Sequence, residues 1–336
     1  QQDGVPVQFV QPDATLRLPV LSVSSQEHED RLLIDGASRA FDLSQAPLFR
    51  AQLLRRSDTE HVLQLVAHHI VSDGWSTDLM VCELGIRYAA LLDGSVPVLP
   101  APAARYADHV ARQRERLRGD HLKRDRQYWR TQLQGLEPLK LPPDQPQPDR
   151  ISQRGSVATL TIDADLYPAL QALARSHQAT LFTVLAAAFT VLLGRYSTRD
   201  DVAMGMPMAG REDANTENLV GFLVNTVVLR TDLSDNPGFL QLLRRVRQGV
   251  LDAREHQGLA FERLVSELGS PRDLGSNPLF DVFINQYGLS DASTRFSGLL
   301  ATEAPLVEEP SKFATTLYLH PRAHELLMRL EDDAVH

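Results

Sequence analysis

The sequence predicts an α/β fold, because short stretches typical of strands alternate along the chain with longer stretches that have the period of a helix. Residues 62–67 are rich in aliphatic side chains, which is typical of a buried strand. Ser76 is a good N-cap for a following helix, and Gly94 is a signal for its end. The length of 336 residues, of which 43% are hydrophobic, allows a large core and suggests two domains or lobes.

A proline-rich segment marks the main boundary of the chain. Residues 141–150 contain four prolines among polar residues, a composition that forbids a helix and disfavours a paired strand. We therefore predict an N-terminal lobe at residues 1–140, an extended interlobe linker at residues 141–155 and a C-terminal lobe at residues 156–336.

Beyond the linker, strands and helices continue to mix, which extends the α/β pattern to the second lobe. The predicted strands are residues 156–162, 201–206, 218–230 and 279–287, and the predicted helices are residues 167–178, 180–193 and 239–255. The apolar helix between Thr180 and Gly194 is shorter than a membrane span, so we predict an ordinary buried helix.

The composition is typical of a soluble cytoplasmic enzyme. The only cysteine, Cys82, lies in a helix with an apolar face, which argues against disulfides and predicts a core residue. No apolar run is long enough for a membrane span, and no signal peptide is visible. The net charge of −9 repels phosphate backbones, which argues against nucleic acid as a partner.

Residues 105–130 are locally rich in arginine and lysine, interleaved with acidic residues. Mixed charges at helical spacing are typical of a solvated helical face, and this is the favoured interpretation. The alternative is a basic docking surface for an acidic partner that carries a phosphorylated arm.

Two adjacent histidines, His68 and His69, stand where the first strand should end and a helix should begin. Neighbouring side chains of a strand point to opposite faces, so we expect one imidazole to react and the other to support it. One cysteine and no HExxH pattern argue against a metal site, and Ser72 and Ser76 lack the glycines of a nucleophile elbow. The remaining possibility is an imidazole that takes part in the proton transfer of an attacking amine or hydroxyl. This indicates acyl transfer.

Five segments in order resemble motifs of condensation domains in nonribosomal peptide synthetases, members of the HHxxxDG acyltransferase superfamily. They are residues 68–74 (HHIVSDG, resembling HHxxxDG), 105–108 (RYAD), 220–226 (VGFLVNT, resembling GFxVNT), 256–262 (HQGLAFE, resembling HQxxPFE) and 272–279 (RDLGSNPL, resembling RDxSxNPL). The resemblance covers nearly the whole chain. By comparison with complete members, we expect the N-terminal start of the first lobe and the C-terminal end of the second to be missing.

The resemblance implies a V of two chloramphenicol-acetyltransferase-like lobes, with the active site in a tunnel between them. It implies peptide-bond formation between a donor acyl or peptidyl thioester and the amine of an acceptor aminoacyl thioester. Both substrates would be carried on phosphopantetheine arms, so no cofactor would bind the domain directly. The implied partners are an upstream donor and a downstream acceptor peptidyl carrier domain, with an adenylation domain adjacent.

The resemblance also assigns roles to the residues of the first motif. His69 would face the cleft and either accept a proton from the attacking amine or orient it, while His68 would hold the end of the strand. For Asp73, a structural ion pair that fixes the turn is favoured over a triad-like role. Arg230 is the candidate partner in this ion pair. Gly74 would let the backbone approach the thioester, and its amide could support the oxyanion, although a plain turn glycine is an equal alternative.

Four further residues are predicted along the substrate channel. Trp75 and Ser76 follow the histidine motif directly, although an indole at such a position more often packs in a core. Asn225 and Asn277 lie on segments that line the cleft in the family, where their amides could hold a pantetheine arm or link the lobes.

Other members of the superfamily provide the alternatives. Epimerization domains share the histidine motif but usually order the next residues differently, so Trp75 before Ser76 favours condensation. Heterocyclizing relatives replace the histidines with aspartates, and ester-forming acyltransferases lack the combination of the later motifs. A noncatalytic docking module that recruits another enzyme is a different class of function, against which the intact His68 and His69 argue.

Overall fold

The computed structural model of the protein describes residues 7–12, 14–99, 104–139, 141, 155–268, 277–287, 296–302, 304, 313–322 and 324–333. Its strands are β1 (Val20–Ser22), β2 (Phe49–Arg55), β3 (His61–Ala67), β4 (Gly155–Ile162), β5 (Asp201–Met208), β6 (Asn225–Asp232), β7 (Val282–Gln286), β8 (Thr315–Pro321) and β9 (Leu326–Asp333). Its helices are α1 (Gln26–Ser38), α2 (Gly74–Asp93), α3 (Tyr106–Arg116), α4 (Gly119–Gln132), α5 (Leu166–Ser176), α6 (Leu181–Ser197), α7 (Ala214–Glu217), α8 (Phe239–Glu255) and α9 (Phe261–Leu268).

The strands form two sheets. The smaller has the order β1-β2-β3, with β1 parallel to β2 and β2 antiparallel to β3. The larger has the order β4-β9-β8-β7-β5-β6, in which β7 pairs in parallel with both β5 and β8 while the other pairs are antiparallel. The mixture of sheets and helices agrees with the predicted α/β class.

Local sequence signals predicted the position of several helices and strands correctly. Strand β3 covers the predicted residues 62–67, and α8 has the predicted limits. Helix α6 begins after Thr180, whose side chain accepts a hydrogen bond from the Thr183 amide, although the helix continues past Gly194 to Ser197. These elements have strong local causes, namely aliphatic runs and a side-chain cap.

Helix α2 begins three residues earlier than predicted. Asp73, and not Ser76, is the N-cap, and its carboxylate accepts a hydrogen bond of 2.8 Å from the Ser76 amide. Gly94 ends the helix in the left-handed region, with φ 66°. The prediction that Cys82 is a core residue is wrong, because the buried positions of α2 are Ser76, Gly85 and Ala90 while Cys82 is exposed.

The arginine-rich segment forms two helices, α3 and α4, and α4 begins at Gly119, whose φ of 68° favours glycine. Several of its basic side chains are paired with acidic ones. The pairs are Arg112 with Asp213 (3.8 Å), Arg116 with Glu212 (2.7 Å), Lys123 with Asp120 (3.0 Å) and Arg126 with Glu267 (2.6 Å). The basic charge of this surface is therefore compensated in part by acidic neighbours.

The hydrophobic core lies along the larger sheet, where α6 and α8 pack against β5 and β6. Trp129 of α4 belongs to this core with 1% of its surface exposed, and its indole donates to the His256 carbonyl at 2.9 Å. The core thus includes residues that precede the predicted linker. The division into lobes stays a prediction, and residues 142–154 of the linker lie outside the described residues, as do Arg272, Asp273 and Ser276 of the fifth motif.

Strand β6 starts at Asn225, later than the predicted residue 218. The preceding residues 221–223 use their backbone groups for hydrogen bonds to the side chains of Ser76, Tyr106 and Asp73, so they are not available for a strand ladder. Within the described residues, no single helix meets the length and apolarity of a membrane span; the bent pair α5 and α6, at 102°, meets them only when taken together.

Gly205 in β5 gives a test of packing in the larger sheet. Gly205→Ala should lower the free energy of unfolding by about 1 to 3 kcal/mol, because the added methyl group would clash with Phe280 and lie 2.6 Å from Phe283. Gly238→Ala is the matched control, since Gly238 is exposed, has φ −62° and has nothing within 4 Å of an added Cβ. Because Gly238 is the N-cap of α8, where alanine is less favourable than glycine, its effect should be small but measurable, below about 1 kcal/mol. Urea unfolding measures both, and equal losses would contradict the close packing at Gly205.

Candidate active site

The two histidines lie at a sharp change in backbone direction. Strand β3 ends at Ala67, and the chain enters a short 3-10 helix, His69–Val71, before α2. The strand alternation expected for the pair therefore does not apply, because His69 has already left the strand. The turn separates the two imidazoles and gives each its own environment.

The imidazole of His69 has a defined tautomer. Its Nδ1 lies 2.6 Å from the carbonyl oxygen of Ser72. A carbonyl oxygen can only accept a hydrogen bond, so Nδ1 carries the proton and Nε2 of the neutral ring carries the lone pair. The residue is exposed, and its ring meets the Phe222 ring nearly at a right angle, with centroids 5.0 Å apart. The arrangement offers an accessible proton acceptor.

His68 has contacts of a structural kind. Its Nδ1 accepts a hydrogen bond of 3.0 Å from the Ile70 amide and so caps the 3-10 helix. Its ring lies perpendicular to that of Phe41, with centroids 5.9 Å apart. The side chain is half-buried. These contacts hold the turn that carries His69.

Asp73 forms a buried ion pair with Arg211. The two guanidinium nitrogens lie 2.8 and 2.9 Å from its carboxylate oxygens, and the side chains are 3% and 2% exposed. The carboxylate also accepts hydrogen bonds from the Ser76 amide and hydroxyl and from the Leu223 amide. Both oxygens are therefore engaged away from the His69 imidazole, whose Nδ1 bonds Ser72.

The prediction that Arg230 pairs with Asp73 is wrong. Arg230 pairs with Asp201 at 2.7 Å and donates to the carbonyls of Gln132 and Gln134. The reason is its position in the strand. It lies five residues beyond the start of β6 at Asn225, which places it about 17 Å further along the strand from the site.

Sequence reasoning missed Arg211. It follows the end of β5 after Gly210, whose φ is 66°, and it donates to the Leu219 carbonyl and the Ser76 hydroxyl as well as to Asp73. Its Nε is buried without a hydrogen-bond partner, and its guanidinium carbon lies 5.6 Å from the centre of the Trp75 ring. No local signal separates it from a surface arginine, because its burial depends on residues about 140 positions away.

Burial by itself raises the pKa of Asp73. The hydrogen bonds from Arg211, from Ser76 and from the Leu223 amide outweigh it and hold the pKa of Asp73 below its ordinary value. The carboxylate thus remains ionised, which agrees with a partner that is always charged.

Two residues predicted along the channel, Ser76 and Asn225, use their side chains in hydrogen bonds within the protein. Ser76 is fully buried, and its hydroxyl lies within hydrogen-bond distance of Asp73 and of the Gly221 backbone. Asn225 donates both amide hydrogens, to the carbonyls of Gln257 and Leu259, and its oxygen accepts from two backbone amides. Neither side chain has a hydrogen-bonding group left for a substrate in this structure, and their place along the channel stays a prediction.

The remaining predicted residues are placed as follows. The Trp75 indole donates to the Glu217 carbonyl at 2.8 Å, which ties α2 to α7. Asn277 accepts from the Leu279 amide at 3.1 Å. Gly74 is exposed at the start of α2, and an added Cβ would lie 3.3 Å from the Tyr287 ring. Among the described residues, no group of three or more histidine, cysteine, aspartate or glutamate side chains could hold a metal ion.

The buried pair gives a strong stability prediction. Asp73→Ala should lower the free energy of unfolding by about 3 to 5 kcal/mol, because it leaves the Arg211 charge buried without a partner. The control is Glu325→Ala in the exposed pair with Arg322, where the loss should be below about 1 kcal/mol. Urea unfolding measures both variants. Similar losses would show that Asp73 and Arg211 do not form a buried pair in solution.

A second prediction follows from the lowered pKa of Asp73. Its stabilising contribution is complete above the ordinary pKa of 3.8 and is lost as the pH falls through the lower pKa of the folded state. Asp73→Asn removes this titration, so its free energy of unfolding should fall less steeply than that of the wild type between about pH 4 and pH 2. Parallel slopes for wild type and Asp73→Asn would contradict the assignment.

Comparisons with known proteins identify the family of this fold and site. The family model of the condensation domain matches residues 1–331. The chain is 42% identical over 305 residues to the chondramide synthase of Chondromyces crocatus, a match that covers 89% of this chain and 8% of that protein. It is 39% identical over 305 residues to malpinin synthetase of Mortierella alpina, a match that covers 90% of this chain and 4% of that protein. The chain thus spans a small fraction of the length of these curated relatives.

Solved structures match the fold over nearly the whole chain. The X-domain in its complex with OxyB from teicoplanin biosynthesis matches with a TM-score of 0.80 and 25% identity, over 97% of this chain and 74% of that one. The first condensation domain of the calcium-dependent antibiotic synthetase, solved with a substrate analogue, matches with a TM-score of 0.79 and 22% identity, over 97% and 72%. These matches confirm the predicted chloramphenicol-acetyltransferase-like α/β fold. The chain belongs to the condensation-domain family of nonribosomal peptide synthetases.

Proposed function

We propose that this domain catalyses peptide-bond formation between a donor acyl or peptidyl thioester and the amine of an acceptor aminoacyl thioester. The observation that supports this most directly is the geometry of His69. Its Nδ1–H bonds the Ser72 carbonyl, which leaves Nε2 as a proton acceptor on an exposed ring. An acyl transfer to an amine needs such a group, because the amine nitrogen loses a proton during the reaction.

In the proposed step the acceptor amine attacks the donor carbonyl carbon. The new C–N bond forms, the C–S bond of the donor thioester breaks, and the sulfur leaves as a thiolate of its phosphopantetheine arm. Nε2 of His69 accepts the proton released by nitrogen and returns it to the thiolate, so the charges balance. If the amine arrives neutral, Nε2 of His69 also orients it for the attack by accepting a hydrogen bond from it.

The surroundings of His69 have supporting roles in this proposal. His68 caps the turn, and the Asp73–Arg211 pair holds the start of α2. The amide of Gly74 lies at the N-terminus of this 20-residue helix, where the helix dipole favours negative charge. We assign it to the oxyanion that develops on the donor carbonyl. Holding both thioesters in a tunnel between the lobes would replace a bimolecular collision with a fixed geometry.

The proposed partners are an upstream donor carrier domain, a downstream acceptor carrier domain and an adjacent adenylation domain, acting in the cytoplasm. The support is that malpinin synthetase, a relative at 39% identity, is far longer than this chain, which covers only 4% of it. The substrates would bring their own phosphopantetheine arms, so the domain itself would hold no cofactor. The paired charges on α3 and α4 favour a solvated face over a basic docking surface.

The direct test is intact-mass detection of product on the acceptor carrier, with the domain, a donor-loaded carrier and an acceptor-loaded carrier. His69→Ala should lower the transfer rate by at least ~100-fold, because it removes the proton acceptor. His61→Ala is the matched control, since His61 is an exposed histidine at the other end of β3. Unfolding curves check that both variants fold. Equal transfer by His69→Ala and wild type would refute the role of His69.

The same readout separates the alternatives within the superfamily. An epimerization leaves the mass of the loaded carrier unchanged, and an ester-forming relative transfers the acyl group only to a hydroxyl acceptor. Amide formation moves the donor mass onto the acceptor amine. The order of Trp75 and Ser76 favours this third result.

A noncatalytic docking module is the second candidate, and one observation favours it. The X-domain that matches this fold at a TM-score of 0.80 was solved in a complex with OxyB, another protein of its pathway. If several matched carrier pairs give no transfer while the domain folds and binds the carriers, recruitment replaces catalysis as the proposed function.

A further inference from the structure

Three consecutive residues, 221–223, are anchored by side chains of the His69 region and of α3. The Gly221 amide donates to the Ser76 hydroxyl at 3.0 Å, and the Leu223 amide donates to the Asp73 carboxylate at 3.0 Å. Between them, the Tyr106 hydroxyl donates to the Phe222 carbonyl at 2.8 Å. The backbone on both sides of Phe222 is therefore fixed relative to the turn that carries His69.

The close approach of this segment has a steric requirement. Gly221 is buried, and an added Cβ would lie 2.5 Å from the Tyr106 ring, so only glycine lets the backbone come this near. Leu223 is 5% exposed and packs inward. Phe222, between these two buried residues, is 39% exposed and contacts the His69 ring edge to face. The anchored backbone thus presents the phenyl ring to the imidazole.

We propose that Phe222 is a positioning residue that holds the imidazole of His69 in the orientation set by its hydrogen bond to Ser72. The hydrogen bond restrains the ring at Nδ1 alone. A perpendicular aromatic contact at 5.0 Å restrains the ring plane from a second side. The phenyl ring carries no group that exchanges protons, so it acts through His69. This inference rests on the proposed function and assigns part of the alignment of Nε2 to the 221–223 segment.

The first test reads the imidazole directly and needs no activity. Histidine side chains are labelled with ¹⁵N, and the His69 signals are assigned by their loss in His69→Gln. In wild type we expect a single set of signals with the proton on Nδ1. Phe222→Ala should give averaged tautomer shifts and lose the ring-current shift of the His69 carbon-bound protons, whereas Phe222→Tyr should keep both.

The matched control is Phe239→Ala. Phe239 is also 39% exposed, and it lies at the start of α8. Its removal should leave the His69 signals unchanged. Unfolding curves establish that each variant folds, and Phe222→Leu serves if Phe222→Ala does not. Unaltered His69 signals in a folded Phe222→Ala or Phe222→Leu variant would overturn the proposal.

The second test is the transfer assay. Phe222→Ala should lower kcat by roughly 2- to 10-fold, the range expected for loss of one edge-to-face pair, with KM for both carriers nearly unchanged. Phe222→Tyr should restore kcat, and Phe239→Ala should match wild type. A rise in KM with unchanged kcat would instead make Phe222 a substrate-binding residue and overturn the proposal. If wild type itself gives no transfer, the proposed function fails, while the His69 signals still decide whether Phe222 positions the ring.

Discussion

The buried ion pair between Asp73 and Arg211 is the interaction on which the arrangement of the site depends. Both charges are removed from water, which is tolerable only if each has a partner and the remaining lone pairs are used. Asp73 meets this condition by accepting from Arg211, from Ser76 and from the Leu223 amide. One carboxylate thereby joins the start of α2, the end of β5 and the segment before β6.

This network determines how the histidine motif is presented. His69 follows the end of β3, and on one side its orientation comes from a contact within the motif, the hydrogen bond to Ser72. On the other side, the contact with Phe222 depends on residues about 150 positions later in the chain. The reactive nitrogen is therefore positioned by local and long-range contacts together. A change in the buried pair would act on the site without touching a substrate.

The family match and the chemistry rest on different observations. Solved structures at 22% and 25% identity share the fold at TM-scores of 0.79 and 0.80, and they include both a condensation domain and an X-domain. A scaffold common to such different proteins does not specify a reaction. The observations that favour catalysis come from this chain's own residues, namely the exposed His69 with its proton on Nδ1 and the His68 side chain that caps the turn.

Features with local causes could be predicted from the sequence. The histidine motif and the family could be recognised because the residues of each motif are contiguous. Strand β3 could be predicted from an aliphatic run, and the end of α2 from Gly94. The partners of the polar groups could not be predicted. Asp73 pairs with Arg211, 138 residues away, and not with Arg230, while the Asn225 side chain bonds the backbone of residues more than 30 positions later. The physical reason is that burial and hydrogen-bond partners are set by strand register and helix packing, which no local pattern specifies.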